Sequence, residues 1–418
     1  MKVERCKGFG DLSPEKMARF RLIEEVFRDR CLSWGYREVR TPTLEYLYLF
    51  TSVGTLTPGM LGRVYSFLDW DGWSGERVVL RPDGTIPIAR LYIDSMADKG
   101  LVRLFYVTNV FMFEETGKKS RERWQCGAEL IGVNSVVADV ELVTLALEVL
   151  RGLGLKDIRV RLSHAGLIRA LLQRLELSSG EQAAIFDHIL DGDIGALAGI
   201  KPDKPELVEA LALLLRLKGK SSGFLKNIKA VFAQHLPEFE PSLDSFIGVV
   251  GLLETLGCDY RIDLASGKGF EYYTGIIFNL SVGEEKVGGG GRYDALIPLM
   301  GGRDTPAAGF ALYLDSLMKL IKAPLLAPPM ARRVLVRAAS EAVKDGFGIA
   351  RRLRGAGFIA EMALDRQEVA DYGFILEVQP NRFTLTDRLS GKKSLATSVN
   401  GVLGLLGCEG DVAQDSSA

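Results

Sequence analysis

The sequence is poor in the residues from which metal and redox centres are built. Its 418 residues include three histidines and five cysteines. The cysteines are odd in number, widely spaced and never arranged as Cys-x-x-Cys: Cys6, Cys31, Cys126, Cys258 and Cys408. This distribution argues against a disulfide framework and a zinc site, and it fits a reducing compartment. We therefore expect a cytoplasmic protein with no metal centre and no cofactor.

An excess of charge and a long apolar run are also missing. The 52 Lys and Arg residues balance 53 Asp and Glu residues, so no overall positive field attracts nucleic acid. No apolar run approaches the roughly 18 residues that a membrane span requires, and the start has no signal-like apolar core. With 47% hydrophobic and 25% charged residues, the composition is that of a globular protein with two or three domains.

What the chain does contain is a succession of helix and strand signals. Ser13-Pro14, followed by Phe20, Ile23 and Phe27 at helical spacing, predicts an N-capped helix that packs on a sheet. Strands are predicted at 36–44, 78–80, 104–113, 124–131, 259–264, 272–282 and 286–288, and helices at 139–150, 165–175 and 311–321. The short charged loop between the strands at 104–113 and 124–131 indicates a hairpin-rich, antiparallel sheet.

Changes in residue pattern and composition along the sequence predict where one domain ends and the next begins. Residues 175–241 are almost wholly helical in pattern and are interpreted as an insertion into a main domain of residues 1–174 and 242–323. The proline-rich segment 323–330 predicts a linker. Residues 331–408, with strands at 333–338, 372–376 and 382–386 and a helix at 340–356, predict a small C-terminal α/β domain. The polar residues 409–418 predict a disordered tail.

Six stretches in one order resemble the motifs of the histidyl-tRNA synthetase family. They are Gly8-Phe-Gly-Asp-Leu-Ser-Pro14 with Trp34-Gly-Tyr36 and Thr41-Pro-Thr-Leu-Glu45, Leu80-Arg-Pro-Asp-Gly-Thr85, Gln125-Cys-Gly-Ala-Glu-Leu-Ile-Gly132, Lys268-Gly-Phe-Glu-Tyr-Tyr-Thr-Gly275, Gly289-Gly-Gly-Arg-Tyr-Asp294 and Thr305-Pro-Ala-Ala-Gly-Phe310. Within the family, the chain is most similar to the branch that regulates the ATP phosphoribosyltransferase of histidine biosynthesis. The resemblance implies an α+β class II synthetase fold, an antiparallel sheet flanked by helices, and self-association through the first motif.

Polar residues of these motifs form a candidate ligand pocket. Gln125 and Glu129 share one face of a predicted strand with Gly127 between them, which gives either an open polar floor or the solvated face of an edge strand. The resemblance implies that Asp83, Thr85, Gln125 and Glu129 line a histidine pocket. Glu129 could accept an imidazole N–H, and Asp83 with Thr85 could hold the ammonium group.

Three tyrosines and a lysine complete the predicted pocket. Adjacent residues of a strand point to opposite faces, so one of Tyr272 and Tyr273 would face the pocket and the other the core. Alternation from Lys268 selects Tyr272, whereas the resemblance selects Tyr273, with Tyr293 as a second wall and Lys268 for the carboxylate. For Tyr273 and Tyr293, simple packing in the core with a hydrogen-bonded hydroxyl fits almost as well as a place in the pocket. The glycine run 288–291 fits either a phosphate cradle or close strand packing.

Departures from the family's motifs bear on catalysis. Met112 and Ser316 stand where the resemblance implies the two arginines that hold ATP, and Tyr313 replaces a usual glycine. Lys268 stands in place of a catalytic arginine. Neither a thioether nor a hydroxyl can replace a guanidinium fork over phosphate, and losing one preorganised donor typically costs ~100-fold or more in rate. The sequence therefore predicts no adenylation and no catalytic residues.

The resemblance implies a non-catalytic regulatory subunit that pairs with a short-form ATP phosphoribosyltransferase catalytic subunit and transmits feedback inhibition by histidine. An active histidyl-tRNA synthetase is the first alternative, and Met112 and Ser316 speak against it. The segment 333–405 shows no obvious basic aromatic surface, so tRNA binding is not expected. A free-standing histidine sensor with another partner is the second alternative.

Overall fold

The structure, a computed structural model, describes residues 3–54, 61–69, 75–113, 120–175, 177–190, 205–232, 236–265, 272–321, 332–364 and 372–407. Its α-helices are α1 (Pro14–Ser33), α2 (Leu47–Thr51), α3 (Thr85–Ser95), α4 (Val136–Gly152), α5 (Ala165–Arg174), α6 (Ser179–Leu190), α7 (Pro205–Arg216), α8 (Ser222–Phe232), α9 (Glu240–Thr255), α10 (Leu296–Leu299), α11 (Leu314–Leu320), α12 (Val343–Gly355) and α13 (Val399–Leu405). Its strands are β1 (Arg37–Glu38), β2 (Leu44–Tyr46), β3 (Ser66–Leu68), β4 (Arg77–Leu80), β5 (Val102–Phe111), β6 (Glu122–Ile131), β7 (Ile158–His164), β8 (Lys218–Gly219), β9 (Tyr260–Asp263), β10 (Ile276–Val282), β11 (Glu285–Arg292), β12 (Ala307–Tyr313), β13 (Arg333–Ala338), β14 (Ile359–Met362), β15 (Phe374–Gln379), β16 (Arg382–Asp387) and β17 (Lys393–Ala396).

The predicted N-terminal helix is confirmed as α1. The Ser13 Oγ accepts a hydrogen bond from the Lys16 backbone N–H at 3.4 Å, and Pro14 occupies the first helical position. Phe20 and Phe27 are buried on one side of the helix. Phe20 meets Trp124 of β6 edge to face, with ring centroids 5.0 Å apart. The helix therefore covers the sheet, as its apolar spacing predicted.

A nine-stranded sheet organises the first part of the chain, in the order β1-β5-β6-β12-β11-β10-β7-β9-β8. Its central pairings, from β5 to β7, are antiparallel. The pairs β1–β5 and β7–β9 are parallel, because long connections that contain helices return each chain segment in the same direction. The large sheet flanked by helices was predicted, but its mixed character was not.

Three predicted elements are wrong at their boundaries. The segment 311–313 belongs to strand β12, because its residues pair with Gln125, Cys126 and Gly127 of β6; α11 begins only at Leu314. Strand β10 begins at Ile276, and the residues before it form a turn in which Thr274 N–H donates to the Arg292 carbonyl. The predicted strand 36–44 is two short strands, β1 and β2.

The glycine run 288–291 lies inside strand β11, in the middle of the large sheet. A Cβ at position 289 would lie 2.8 Å from the Phe278 carbonyl oxygen, and one at 290 would overlap the Gly309 carbonyl. The glycines therefore permit close approach of the neighbouring strands, which is the second of the two interpretations of this run.

A separate three-stranded sheet, β2-β4-β3, has two unlike faces. Val79 and Glu45 are buried on the inner face. The strand register places the side chains of the other face in one layer: Leu44, Tyr46, Phe67, Val78 and Leu80. We call this layer the apolar face. Leu44, Tyr46 and Phe67 remain 44%, 38% and 45% exposed, so a hydrophobic surface faces solvent here.

The chain forms two compact units, Met1–Lys322 and Ala323–Ala418. Helices α7 and α8 of the predicted insertion contribute Leu211 and Leu225 to the core of the first unit. The second unit has a core of its own, with a five-stranded sheet in the order β14-β13-β15-β16-β17. The domain boundaries at 174, 241 and 331 stay predictions. The predicted linker 323–330 and tail 409–418 lie outside the described residues.

Candidate functional site

The candidate site is centred on Glu129, which lies on β6 in the interior of the large sheet. Its side chain is 1% exposed, so the strand face that carries it is not a solvated edge. Glu129 pairs with Leu104 of β5 on one side and Gly309 of β12 on the other. A Cβ at position 309 would overlap the Oε2 atom of Glu129. The carboxyl group therefore has room only because residue 309 is glycine.

Three hydroxyl groups converge on this buried carboxyl. Thr85 Oγ1 donates to Oε1 at 2.8 Å, Tyr106 OH donates to the same oxygen at 3.2 Å, and Tyr293 OH donates to Oε2. Burial raises the pKa of Glu129 to about 8, although the hydroxyl donors oppose that rise. The site thus holds a buried carboxyl group whose raised pKa lies close to neutral pH.

Tyr106 was not predicted as a site residue. It lies on β5 opposite Gly127, and a Cβ on that glycine would overlap the phenol ring. Gln125 extends its Nε2 toward the Tyr106 hydroxyl at 3.5 Å. The register of the hairpin formed by β5 and β6 could have identified Tyr106, because the residue opposite Gly127 must share its face.

Asp83 and Thr85 come from the turn that enters α3. Asp83 Oδ1 accepts a hydrogen bond from the Ile86 backbone N–H at 2.9 Å, so the carboxylate caps the helix. Burial raises the pKa of Asp83 to about 6, and the backbone N–H groups at 84–86 oppose the rise. Thr85 is buried and reaches Glu129 directly. The turn thus brings Thr85 into contact with Glu129 and places Asp83 close enough for its charge to add to the rise that burial causes in the pKa of Glu129.

The tyrosines form an aromatic wall beside Glu129. Tyr272 meets Tyr293 edge to face, with centroids 5.4 Å apart, and Tyr273 lies 5.5 Å from Tyr272. All three rings are buried, and burial raises the pKa of each phenol. Tyr272 and Tyr273 both precede strand β10, which begins at Ile276, so the alternation of side chains along a strand does not decide between them. Lys268 lies outside the described residues.

A buried ion pair fixes the residue next to Tyr293. Arg292 donates from Nε to Asp139 Oδ1 at 3.0 Å and from Nη1 to Asp294 Oδ1 at 3.0 Å. Its Nη1 also donates to the Val133 carbonyl at 3.1 Å. Asp139 belongs to α4, so this network holds the end of β11, and with it Tyr293, against the helix layer.

The two positions that depart from the family's arginines are engaged in contacts within the chain. The Ser316 hydroxyl donates to Glu285 Oε1 at 2.8 Å, and Lys319 Nζ reaches the same oxygen at 2.9 Å. The Met112 backbone N–H donates to the Arg121 carbonyl at 2.9 Å. Burial raises the pKa of the Tyr313 phenol to about 12. At position 316, the hydroxyl that replaces the arginine is thus bonded to a carboxylate of the same chain, Glu285.

Two features are absent from the part of the chain that the structure describes. No helix there is long and apolar enough to cross a membrane. No group of three His, Cys, Asp or Glu side chains in that part could hold a metal ion.

Comparison with known proteins places these features in a family. A sequence model described as histidyl-tRNA synthetase matches residues 8–317. The chain belongs to the histidyl-tRNA synthetase family. A solved structure from Bacillus halodurans, titled as an ATP phosphoribosyltransferase regulatory subunit/histidyl-tRNA synthetase, has a TM-score of 0.76 at 24% identity and covers 90% of this chain and 98% of its own. The histidyl-tRNA synthetase of Nostoc sp. has a TM-score of 0.72 at 20% identity, over 97% of this chain and 99% of its own. The class II synthetase fold is thereby confirmed.

Within the family, curated relatives carry two different names. A protein of Dehalococcoides mccartyi named ATP phosphoribosyltransferase regulatory subunit is 54% identical over 98% of this chain and 100% of its own length. A histidine–tRNA ligase of Methanosarcina acetivorans is 33% identical over 95% of this chain and 97% of its own length. The similarity is thus substantially greater to the regulatory subunit than to the ligase.

Proposed function

We propose that this chain is the regulatory subunit of an ATP phosphoribosyltransferase, acts in the cytoplasm and has no adenylation activity of its own. The observation that carries the proposal is the 54% identity, over almost the whole chain, to a protein of that name. Met112 and Ser316 support the absence of adenylation, since neither supplies a cation for ATP. The Ser316 hydroxyl is already bonded to Glu285, whose carboxylate also pairs with Lys319, so Ser316 offers no free donor for a phosphate.

The proposed partner is a short-form catalytic subunit, and the proposed effector is histidine. Glu129 would accept the imidazole N–H, and Asp83 with Thr85 would hold the ammonium group. Gln125, Tyr272, Tyr273 and Tyr293 would line the remaining pocket, and Lys268 would bind the carboxylate. The buried carboxyl with hydroxyl donors and an aromatic wall supports this assignment, because it suits a ligand with a flat ring and N–H groups.

Reconstitution tests the proposal. The purified chain is mixed with a short-form catalytic subunit, and the condensation of ATP with phosphoribosyl pyrophosphate is followed with and without histidine. We expect activity only when both chains are present, and a loss of that activity as histidine is added. In parallel, histidine-dependent exchange of pyrophosphate into ATP should be absent.

The alternatives give different results in the same experiments. Robust pyrophosphate exchange would identify an active synthetase and refute the proposal. Histidine binding without any effect on a catalytic subunit would favour a free-standing sensor.

We also propose that two copies of the chain associate through the apolar face. Its exposed Leu44, Tyr46 and Phe67 form one layer, and Tyr48 of α2 stacks on Tyr46 with centroids 5.6 Å apart. Contiguous apolar surface of this kind typically marks an interface. Strand β2, which supplies Leu44 and Tyr46, overlaps the Thr41-Pro-Thr-Leu-Glu45 motif, for which the resemblance implies dimer formation.

A further inference from the structure

A buried arginine joins the apolar face to the candidate ligand pocket. Arg81 follows β4 directly and is 4% exposed. Its guanidinium donates from Nε to the Asn109 carbonyl at 2.8 Å and from Nη2 to Asn109 Oδ1 at 2.9 Å. Its Nη1 donates to the carbonyls of Thr41 at 2.9 Å and Pro42 at 2.8 Å. One planar side chain therefore ties together two segments that are distant in sequence.

The backbone of Arg81 is held as firmly as its side chain. Its N–H donates to the Thr43 carbonyl at 3.0 Å, and its carbonyl accepts from the Phe111 N–H at 3.0 Å. No carboxylate of the described residues lies within ion-pair distance of this guanidinium. Neutral oxygens at fixed positions thus satisfy a buried cation, and only a rigid fork of donors matches their arrangement.

Arg81 connects two stretches of the chain that lead to different surfaces: residues 41–42, which its side chain contacts, and the Asp83–Thr85 turn, which follows it in the sequence. Thr41 and Pro42 immediately precede β2, whose Leu44 and Tyr46 belong to the apolar face. In the other direction, Arg81 is followed by Asp83 and Thr85, which face the candidate pocket. Because Arg81 contacts the first segment and covalently carries the second, a shift of either segment must strain the hydrogen bonds that hold the other.

We propose that Arg81 is a positioning residue that couples self-association at the apolar face to ligand binding by the Asp83–Thr85 turn. The inference rests on the proposed histidine pocket and the proposed contact between copies. A second copy on the apolar face would hold the segment before β2 still, and Arg81 would then hold the turn. Coupling between two sites is reciprocal, so each bound histidine must strengthen self-association by the same factor by which association tightens its own binding.

The test compares histidine affinity in the dissociated and the associated protein. Sedimentation velocity first locates the midpoint of self-association, and calorimetry then measures the histidine Kd well below and well above it. We expect at least a roughly fivefold tighter Kd in the associated protein, which is the lower end of typical coupling. Arg81→Lys keeps the charge but loses the fork, and should reduce this ratio to within about twofold while histidine still binds.

Thr41→Ala is the matched control. It removes only the hydroxyl contact, which lies at 3.4 Å from Nη1, and keeps the carbonyl that accepts at 2.9 Å. The ratio should stay at its unmodified value. If Arg81→Lys does not fold, as judged by a thermal melt, Asn109→Ala takes its place, because it removes the acceptor for Nη2.

The outcomes separate the inference from the function on which it rests. If histidine does not bind at any protein concentration, both are overturned. If histidine binds with the same Kd in dissociated and associated protein, only the coupling is overturned. If Arg81→Lys weakens binding equally in both states and keeps the ratio, Arg81 has a purely structural role, and its assignment as a positioning residue is overturned.

Discussion

Glu129 combines deep burial with a group that ordinarily carries a charge. Its position against Gly309, under three hydroxyl donors, leaves it without a cationic partner among the described residues. A buried carboxyl in that situation takes up a proton more readily than an exposed one, which is why its pKa is raised to about 8. The residue is costly to bury and is thus better explained by ligand recognition than by stability.

The raised pKa of Glu129 predicts a pH dependence of folding stability. Between the ordinary value of 4.5 and about 8, the folded chain holds the proton that the unfolded chain has released. The free energy of unfolding should therefore fall as pH rises through this window. Glu129→Gln should flatten that fall. Urea titrations of the ligand-free protein from pH 5 to pH 8.5 measure it, and parallel slopes in the two proteins would contradict the assignment. Asp83, whose pKa is also raised, remains in both proteins.

Removal of the Glu129 side chain tests the pocket directly. At pH 8.5, above the pKa of about 8 at which the carboxyl ionises, Glu129→Ala should weaken histidine binding by about 1.5–3 kcal/mol, through the loss of a charge-assisted hydrogen bond. Calorimetry measures the Kd. Glu361→Ala is a matched control, because Glu361 also accepts from a tyrosine, Tyr372, at 2.9 Å, but in the second compact unit. An unchanged affinity in Glu129→Ala would place the pocket elsewhere.

Gly309 makes a separate prediction about the same carboxyl group. The methyl group of Gly309→Ala would overlap Glu129 Oε2 and lie 2.7 Å from the Ala128 carbonyl oxygen, so the carboxyl must leave its hydroxyl donors and strands β6 and β12 must move slightly apart. We expect at least a roughly tenfold loss of histidine affinity, comparable to the loss of one charged hydrogen bond. Gly251→Ala in α9 is the control, since nothing lies within 4 Å of its added Cβ. The binding curve of Gly309→Ala should not superimpose on that of the control.

Among the elements, those with strong local signals were predictable. The cap of α1 and the pair β5–β6 follow from Ser13-Pro14 and from two β-rich runs joined by a short charged loop. The start of α11 was missed, because the segment 311–317 has good helix formers while its first three residues are recruited into a strand by β6. Tertiary pairing overrode local propensity there.

The candidate site was only partly visible in the sequence. Asp83, Thr85, Gln125 and Glu129 are predictable because they match family motifs, and the structure brings Thr85 and Glu129 together. Tyr106 belongs to none of the quoted motifs and reaches the site only through strand register. Arg81 does lie in a motif, but its contacts with 41–42 and with Asn109 depend on the tertiary fold.

The apolar face gives a prediction for a whole sheet. Phe67→Ser and Leu44→Ser replace exposed apolar groups in one layer of β2-β4-β3. If this layer is buried between two copies, each change should weaken association at least roughly tenfold, since burial of a large apolar side chain contributes about 1.5–3 kcal/mol. Val231→Ser on α8 alters a residue that is 65% exposed and should have no effect. Sedimentation velocity measures the three variants, and equal dissociation constants would exclude this face.

For the whole molecule, the important feature is the presence of two hydrophobic cores. The cores contain no residue in common, and the site lies entirely in the first unit. A chain that ends at Lys322 should therefore unfold in one cooperative transition and bind histidine within about threefold of the full chain. Thermal melts and calorimetry test this. Loss of binding by a folded fragment would show that the second unit contributes to the pocket.

The contact between Ser316 and Glu285 has a consequence for evolutionary history. Under the proposed function, a lineage that lost its ATP-binding arginine did not leave a vacancy, because Glu285 now accepts from Ser316 and Lys319 together. An arginine reintroduced at 316 would meet this carboxylate first and be neutralised by it, while Met112 and Tyr313 would remain unchanged. Recovery of an ATP site would therefore require changes at several of these positions, because an arginine at 316 alone would not restore it. The hydrogen bonds of Ser316 and Lys319 with Glu285 therefore make the loss of the ATP site difficult to reverse by single substitutions.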